Sequence, residues 1–414
     1  MRGSLVIALA VLLLAPASAR ASGYEFEGIG TRHVSRAGAA TADAKDWSAV
    51  YWNPAGLASA PRSVGVQVFG GWAFPRDSDS LSSLSSLGLA YGKDTLPATF
   101  VLGAAGAVVP VGESAALGLG VYTPLLQGLD FQETSTSGAR TRFKGSATVL
   151  TTNVSLGVRL TESLLAGFGL DFLYGRIENM TEIRDMPTAA LGGALTDLDG
   201  GYAGSGYGLE SVLGLLWTPH PRLTLGLTAR SGAEVIIRGE AHSFWRSTAF
   251  GTLGDEHSRF RYPVHHPPTL DTGLAWRASD AWTLTFDVHQ TFWRCFTSAM
   301  TFDTAGTLLA NTTNSYHWRD TWKARLGSSW RTGPKTELLA GYSYDRFAVD
   351  AASVDFATAV DVPMHRASVG WGQRWTDSFS TLLGAIGGYG ERKVGPKRYA
   401  LSGVQLMAES QLKF

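Results

Sequence analysis

The stretch Gly23–Ala60, GYEFEGIGTRHVSRAGAATADAKDWSAVYWNPAGLASA, differs from everything that follows it. Its Gly, Ala and Asp residues are irregularly spaced, no strand alternation is present, and it closes in the turn sequence Asn53-Pro54-Ala55-Gly56. After Pro61 the chain becomes a long series of alternating segments. A small irregular head followed by a long sheet predicts a plug and the barrel that holds it.

The segments after Pro61 alternate with a period of two. In Leu150–Leu160 the even positions are mostly Leu and Val, whereas the odd positions are Thr, Asn, Ser, Gly and Arg. Successive side chains of a strand point to opposite faces, so each segment has one apolar and one polar face. A soluble sandwich with one wet face fits this pattern as well. Three features favour an outer-membrane barrel: segments of about ten residues or more, aromatic residues near the ends of the apolar faces, and connections that alternate between short and long.

The sequence therefore predicts an all-β fold, a transmembrane antiparallel β-barrel of about 14 strands with an N-terminal hatch in its lumen. The hatch spans 22–61 and the barrel 62–414. Long outer loops are predicted at 75–97, 124–145, 179–205, 239–267, 296–318, 347–363 and 392–399. The predicted strands are 62–73, 99–110, 114–123, 146–160, 163–178, 206–218, 222–238, 269–278, 281–294, 319–331, 335–346, 364–375, 378–391 and 400–414.

The first 21 residues have the pattern of a cleaved export signal. Arg2 supplies the positive charge, Leu5–Leu14 is the apolar core, and Ala19-Arg20-Ala21 fits the small-x-small cleavage rule. The apolar core is shorter than the roughly 20 residues of a membrane-spanning helix. With the terminal aromatic Phe414, this pattern predicts that the protein is exported to the outer membrane of a Gram-negative cell.

Composition limits the partners. The chain has 35 Lys and Arg against 35 Asp and Glu, so it lacks the basic excess that nucleic-acid binding requires. Its one cysteine, Cys295, has no partner within the chain for a disulfide. The pair His265-His266 and the more distant His242 lack a ligand set with zinc-like spacing. We therefore expect no nucleic acid, no metal and no cofactor.

Several motifs in the head resemble the hatch of a known family. They are Gly28-x-Gly30-x-Arg32, Ala37-Gly38-Ala39-Ala40 and Asn53-Pro54-Ala55-Gly56-Leu57. This stretch is similar to the N-terminal hatch of the FadL/TodX family of outer-membrane transporters for long-chain fatty acids and aromatic hydrocarbons. The resemblance implies a monomeric barrel in contact with outer-membrane lipid and lipopolysaccharide. It also implies passive uptake of a hydrophobic ligand: capture by outer loops, a pocket above the hatch, and lateral exit near the third strand.

Two sets of residues are candidates for the hatch and the gate. Asn53, Pro54 and Ala55 would fix the hatch against the wall, although Asn and Pro also favour ordinary turns. Gly118, Gly120 and Pro124 lie on or just after the third strand, where glycine often marks a bulge and proline removes a donor from the ladder. They are the candidate lateral gate, with the alternative that glycine is simply abundant in this chain.

Candidate ligand contacts come from an aromatic-rich predicted loop and from the head. Because outer loops are normally polar, the aromatic density of 239–267 suggests capture of an apolar ligand, with self-packing of the loop as the alternative. A fatty-acid carboxylate would need a cation such as Arg159, although lumen arginines usually pair with lumen acids. The candidates are Phe244, Trp245, Phe250 and Phe260 in the loop, Tyr24 and Phe26 at the start of the hatch, and Arg159.

Two other function classes stay open. An outer-membrane enzyme of lipase type would use surface Ser and His, but parity places His289, Thr285 and Asp287 inside the barrel. A general diffusion porin would need no plug. We therefore expect a transporter rather than an enzyme, and the pattern does not distinguish a fatty acid from an aromatic hydrocarbon as its ligand.

Overall fold

The computed structural model describes residues 27–77, 89, 95, 97–296, 298–314, 317–351, 354 and 361–414. The predicted export signal at 1–21 lies outside this range. Within the described part of the chain, no helix is long and apolar enough to cross a membrane.

The head contains short helices only, and the rest of the chain is nearly all strand. Helices α1 (Thr31–Val34) and α2 (Ala49–Trp52) precede the 3-10 helix η1 (Pro54–Ser59), and two further 3-10 turns are η2 (Ala189–Leu191) and η3 (Trp293–Cys295). The strands are β1 (Ser63–Asp77), β2 (Ala98–Val111), β3 (Ala115–Thr134), β4 (Arg140–Arg159), β5 (Leu164–Thr188), β6 (Ala194–His220), β7 (Leu223–Arg230), β8 (Ala233–Ser247), β9 (Gly251–His266), β10 (Thr269–Arg277), β11 (Trp282–Thr291), β12 (Ser298–Phe302), β13 (Thr312–Asn314), β14 (Thr321–Arg331), β15 (Thr336–Asp345), β16 (Met364–Arg374), β17 (Phe379–Val394) and β18 (Lys397–Lys413).

These segments form one closed antiparallel barrel. Strand β1 pairs with both β2 and β18, which joins the two ends of the sheet. Strands β7 and β8 both pair with β6, at different heights, and together occupy one position in the ring. Their partners β10 and β9 together occupy the next position. With β12 and β13 forming a side hairpin on β9, fourteen strand positions close the ring. The predicted barrel of about 14 strands with an N-terminal hatch is confirmed.

The two faces of the barrel wall follow the predicted alternation. Leu150, Val154 and Leu156 of β4 are exposed on the outer face, while Asn153 and Ser155 are buried inside. An apolar outer face suits contact with hydrocarbon, and a polar inner face suits contact with the hatch.

Several strands run farther outward than predicted, and most of the predicted loop 124–145 is strand. The predicted loops 179–205 and 239–267 are likewise strand hairpins, so the loop assignments there are wrong. The apolar parity reverses beyond the apolar band: in β4, Phe143 is buried inside, whereas Arg142 and Lys144 are exposed outside. Beyond the membrane the outer face of a strand meets water, so its outward side chains are polar there. The lipid-facing pattern that defined the predicted spans therefore ends before the strand does.

Candidate functional site in the barrel lumen

Residues 27–60, here called the hatch, lie inside the barrel and bond to carboxylates of the wall. Glu409 of β18 accepts hydrogen bonds from the Thr31 amide at 2.5 Å and from the Trp47 indole Nε1 at 2.9 Å. Asp287 of β11 accepts bonds from the amides of residues 40–41, both at 2.8 Å. The wall therefore satisfies backbone groups that the irregular hatch leaves without secondary-structure partners.

The buried Asn53 side chain joins the hatch to two further strands of the wall. Its Nδ2 donates to the carbonyl of Thr41 at 2.8 Å, and also to the β6 and β7 carbonyls of Leu215 at 3.0 Å and Leu227 at 3.4 Å. Its Oδ1 accepts a bond from the Ala55 amide at 3.1 Å, which caps η1. Every polar atom of this side chain thus has a partner.

Two wall glycines allow this close approach. A Cβ at Gly214 would lie 2.1 Å from Asn53 Oδ1, and one at Gly167 would lie 2.2 Å from the Ala55 amide nitrogen. Only glycine permits such proximity between wall and hatch. We call the contacts of Asn53 and Ala55 with these two glycines the hatch seat.

Ion pairs stabilise the hatch internally. His33 Nε2 lies 3.1 Å from Asp46, and Arg36 donates to Asp43 at 2.6 Å. Burial alone would raise the pKa of the Asp46 carboxyl. The attraction to His33 and the hydrogen bonds that Asp46 accepts from His33 and Ser48 outweigh burial, and they hold this pKa well below its usual range. The Arg36 guanidinium likewise outweighs burial and lowers the pKa of Asp43.

A cavity lies between the hatch and the outer end of the lumen. The hatch contributes Tyr51 and Trp52 to its lining. The apolar wall residues are Tyr122, Pro124, Val149, Leu173, Val235, Val264, Pro267 and Trp293. The polar ones are Thr151, Asp171, Glu210, Arg230, His265, His266, Thr269, Asp271, His289 and Arg325.

The first group of charges in the cavity centres on Arg230. Its Nη1 lies 2.8 Å from Asp171 and 3.2 Å from Glu210. The Tyr122 hydroxyl also donates to Asp171, at 2.8 Å, and His266 Nδ1 lies 2.9 Å from Glu210. Both acids are buried and engaged from more than one side, as buried charges must be.

The second group centres on Asp271. His289 Nδ1 lies 2.7 Å from its Oδ1, and Arg325 Nη1 lies 3.3 Å from the same oxygen. The Arg325 guanidinium also lies over the Trp52 ring, 5.6 Å from its centroid. This cation therefore has an acid on one side and an aromatic face of the hatch on another.

An apolar cluster, here called the outer cluster, lies across the outer end of the lumen. Trp293 and Trp318 stack at its centre with ring centroids 4.7 Å apart, and Trp293 also lines the cavity. Its members are Leu89, Phe131, Ala139, Phe143, Ile183, Met186, Leu198, Trp293, Phe296, Leu308, Trp318, Ala348, Val349, Val354, Val362, Met364, Tyr399 and Leu401. The cavity is thus bounded by the hatch on one side and by apolar residues on the other.

The wall beside the cavity is interrupted. Among the described residues, the ladder between β2 and β3 ends at the pair Ala105 and Val121, although both strands continue outward. At the same level β3 has a bulge against β4, between Tyr122 and Leu125. Pro124 lies in the bulge, and both Tyr122 and Pro124 line the cavity. We call this interruption the β2–β3 break.

The candidate gate glycines lie below this break. Gly118 and Gly120 are in the paired part of β2 and β3. A Cβ at Gly118 would lie 2.7 Å from atoms of Val50 and Leu57, and one at Gly120 would lie 2.7 Å from Val50. These two glycines therefore make room for the hatch. Of the three candidate gate residues, Pro124 is the one that lies in the break.

The four candidate aromatics of 239–267 lie apart from the cavity. Phe244 is on the outward side of β8, whereas Trp245 packs against the outer cluster. Phe250 is exposed in the turn between β8 and β9, and Phe260 is buried in an inner cluster beside Tyr202. Ligand contact by these four residues stays a prediction, and such a contact would lie farther out along the barrel than the cavity.

The remaining candidates are not at the cavity either. The Arg159 guanidinium lies 3.4 Å from the carbonyl of Ala58, beside the last hatch helix. Tyr24 and Phe26 lie outside the described residues. Sequence reasoning did not select Tyr51 and Trp52, although both are aromatic residues directly before the Asn53 turn.

Glu210 and Arg230 were missed among the charged groups. Glu210 is buried and Arg230 is partly buried, and both lie on strands whose alternation predicts an inward side chain. A charged residue at an inward position of a predicted transmembrane strand was the available signal, since such residues line the lumen. Their pairing across β6 and β7 required the strand register.

A closed barrel with an apolar outer band, a lumen filled by a hatch and a cavity above it defines an outer-membrane transport protein. The chain belongs to the family described as Outer membrane protein transport protein (OMPP1/FadL/TodX), whose model matches residues 12–381. The predicted family and the outer-membrane location are confirmed.

Individual relatives are more distant. The chain is 25% identical over 393 residues to a candidate outer membrane protein of Neisseria meningitidis serogroup B, covering 82% of this chain and 80% of that one. The fold is similar to a Pseudomonas aeruginosa FadL homologue, with a TM-score of 0.75, 14% identity, and 95% and 100% of the two chains covered. It is also similar to the Pseudomonas putida toluene transporter TodX, with a TM-score of 0.69, 15% identity, and 95% and 100% covered.

Proposed function

We propose that this protein takes up hydrophobic small molecules passively across the outer membrane. The ligand passes the outer cluster, occupies the lumen cavity and leaves sideways through the β2–β3 break. The observation that carries the proposal is that the ladder ends where Tyr122 and Pro124 line the cavity. A route from cavity to wall at this level would deliver the ligand to hydrocarbon and avoid transfer of its apolar surface into water.

The hatch makes the lateral route preferable to an axial one. Its backbone is held by Glu409 and Asp287, and Asn53 joins it to β6 and β7. A ligand leaving along the barrel axis would have to break these buried bonds, each of which costs about 1–3 kcal/mol when left unmade. These contacts favour a transporter over a diffusion porin or a lipase, and similar folds include two proteins described as toluene transporters.

The outer surface suits the expected membrane partners. Exposed Val, Leu and aromatic side chains form the band that would contact lipid. Beyond it, Arg140, Arg142 and Lys144 are exposed on β4. Cations at this level would suit the anionic groups of lipopolysaccharide, and we propose a monomer in that environment.

The experiment removes the bulge of β3 by deleting Pro124, and we expect the straightened strand to extend its ladder with β2 beyond Val121. Between the pairs at Tyr122 and Leu125, β3 has two residues where β4 has one, so removing one residue restores an equal count and a continuous ladder between β3 and β4. Accumulation of radiolabelled toluene and dodecanol is then measured in cells expressing the barrel. We expect uptake to fall to the level of cells without the protein.

The chain offers a matched control in a second bulge of the same kind. Between the pairs at Ile183 and Met186, β5 has two residues where β6 has one, and neither of these two residues lines the cavity. Deletion of Asp185 removes that bulge, and we expect uptake to be unchanged. Undiminished uptake by a folded Pro124-deletion variant would overturn the lateral route.

A further inference from the structure

We infer that the lumen cavity is built for an uncharged ligand and excludes the carboxylate form of the same hydrocarbon. This inference rests on the proposed function and narrows its substrate class. The carrying observation is that each arginine of the cavity already pairs with an acid of the wall. A carboxylate would have to compete with carboxylates of the wall for each cation.

The arginines of the cavity are both engaged. Arg230 contacts Asp171 and Glu210, and it also donates to the Tyr51 carbonyl of the hatch. Arg325 contacts Asp271, and its Nη1 lies 3.5 Å from the carbonyl of Gly38. Each guanidinium is thus oriented by the wall and by the hatch before any ligand enters.

Aromatic faces cover the same two cations. Arg230 lies 5.0 Å from the centroid of the Tyr51 ring, and Arg325 lies 5.6 Å from that of the Trp52 ring. A fatty-acid carboxylate needs guanidinium hydrogens in the plane of the fork, and the Nη1 group of each arginine already contacts an acid of the wall. Displacing one of them would leave a buried acid without its partner, which is costly.

The acids outnumber the arginines among the lining residues. Three carboxylates, Asp171, Glu210 and Asp271, face two guanidinium groups. The histidines nearest these acids, His266 and His289, each lie within 2.9 Å of one carboxylate and so are engaged by it as well. An additional anion in this space would meet like charge at short range, where low dielectric strengthens repulsion.

The rest of the lining suits an apolar body. Val149, Leu173, Val235, Val264 and Trp293 supply the hydrophobic contacts. Burying an alkyl chain or an aromatic ring against them is favourable at roughly 25 cal/mol per Å² of apolar surface. A neutral hydrocarbon or alcohol gains this free energy of apolar burial without competing with the wall acids for a cation.

The test compares dodecanol with dodecanoate at pH 8, which share one chain and differ in charge. The full protein in detergent micelles is incubated with each, and the fraction carrying ligand is measured by native mass spectrometry. We expect dodecanol to be retained roughly tenfold more or better, since a bound carboxylate would leave a charge-assisted hydrogen bond of the wall unmade. Bromine-labelled versions of both ligands locate the bound chain by anomalous diffraction.

Substitutions should then create the missing carboxylate site. Asp271→Asn releases Arg325 and His289 from an acid, and Glu210→Gln releases His266 on the other side of the cavity. We expect dodecanoate binding to rise roughly tenfold in each, by the value of one charge-assisted hydrogen bond. Asp197→Asn is the matched control, because Asp197 pairs with Arg246 outside the cavity lining. Heat-modifiable gel mobility shows that each variant is folded.

The outcomes separate the two proposals. Equal retention of dodecanol and dodecanoate in the cavity overturns the exclusion of anions and leaves the transport proposal intact. Failure of both substitutions to raise dodecanoate binding in folded protein also overturns it. Absence of any ligand from the cavity contradicts the proposed function itself.

Discussion

The hatch seat and the β2–β3 break are two regions of one wall with opposite construction. At the seat, Gly214 and Gly167 let the hatch approach so closely that a Cβ would overlap Asn53 or Ala55. At the break, the ladder stops after Ala105 and the neighbouring strand bulges. At the seat the hatch packs closely against the wall, and at the break the wall beside the cavity is interrupted.

Under the proposed function, this difference would let a ligand leave sideways while the hatch blocks the barrel axis. Closure of the sheet pairs the N–H and C=O groups of every strand edge. An interruption of the ladder is therefore tolerated only where other residues pack against it. The hatch supplies that support through Tyr51, whose ring packs against Tyr122 with centroids 5.4 Å apart. We therefore expect changes at the seat and changes at the break to affect different measurements.

The largest effect at the seat is expected from Gly214→Val. The added side chain would start 2.1 Å from Asn53 Oδ1, and such overpacking costs about 1–3 kcal/mol or more. We expect the hatch to leave its position and single-channel conductance to rise from near zero to a steady value. Gly128→Val is the control, because its Cβ would have only the Gly145 carbonyl within 4 Å, at 3.8 Å. A silent channel in folded Gly214→Val protein would show that Asn53 does not depend on this glycine.

Asn53→Ala should loosen the hatch without overpacking. It removes the bonds to Thr41, Leu215 and Leu227, and we expect a loss of about 1–3 kcal/mol in protection of hatch amides. Hydrogen exchange over residues 27–60 measures this change. Asn179→Ala is the matched control, since the Nδ2 of buried Asn179 makes no hydrogen bond within the described chain. Equal protection in the two variants would mean that the Asn53 bonds contribute nothing to the seat.

Acid should loosen the hatch from within. The pKa of Asp46 is lowered in the folded protein, so its stabilising contribution is fully present above the unfolded-state value of about 3.9. That contribution is lost as the pH falls below this value and through the folded-state pKa. We expect hatch amides to lose protection below about pH 4 in the native protein and to show a weaker acid dependence in Asp46→Asn. An identical acid profile in both would contradict the role of the pair with His33.

The barrel and its inward and outward faces could be predicted because lipid imposes a strict period of two. The outer ends of the strands could not, since parity reverses near Phe143 once the outer face meets water. This reversal made the hairpin at 239–267 resemble an aromatic loop, although its apolar residues include the buried Phe260.

The site was less accessible to sequence reasoning than the barrel. The Asn53 turn was identifiable from local chemistry, but its wall partners are carbonyls of β6 and β7, which have no sequence signature. The cavity charges arise from cross-strand pairs such as Arg230 with Asp171, 59 residues apart. Only strand register brings such residues together.

The smallest effect is expected from Gly118→Ala, which tests whether Gly118 makes room for the hatch or forms part of the lateral gate. Its added Cβ in Gly118→Ala would lie 2.7 Å from terminal methyl groups of Leu57 and Val50, which can shift by rotation. We expect hydrophobic uptake to stay within about twofold of the native protein and hatch amides to exchange slightly faster, because the overpacking is shared by flexible side chains. Since Gly118 lies in the paired ladder opposite Val108, its methyl group would not reach the break. A loss of uptake with hatch exchange unchanged would return Gly118 to the gate and move the lateral opening below the bulge.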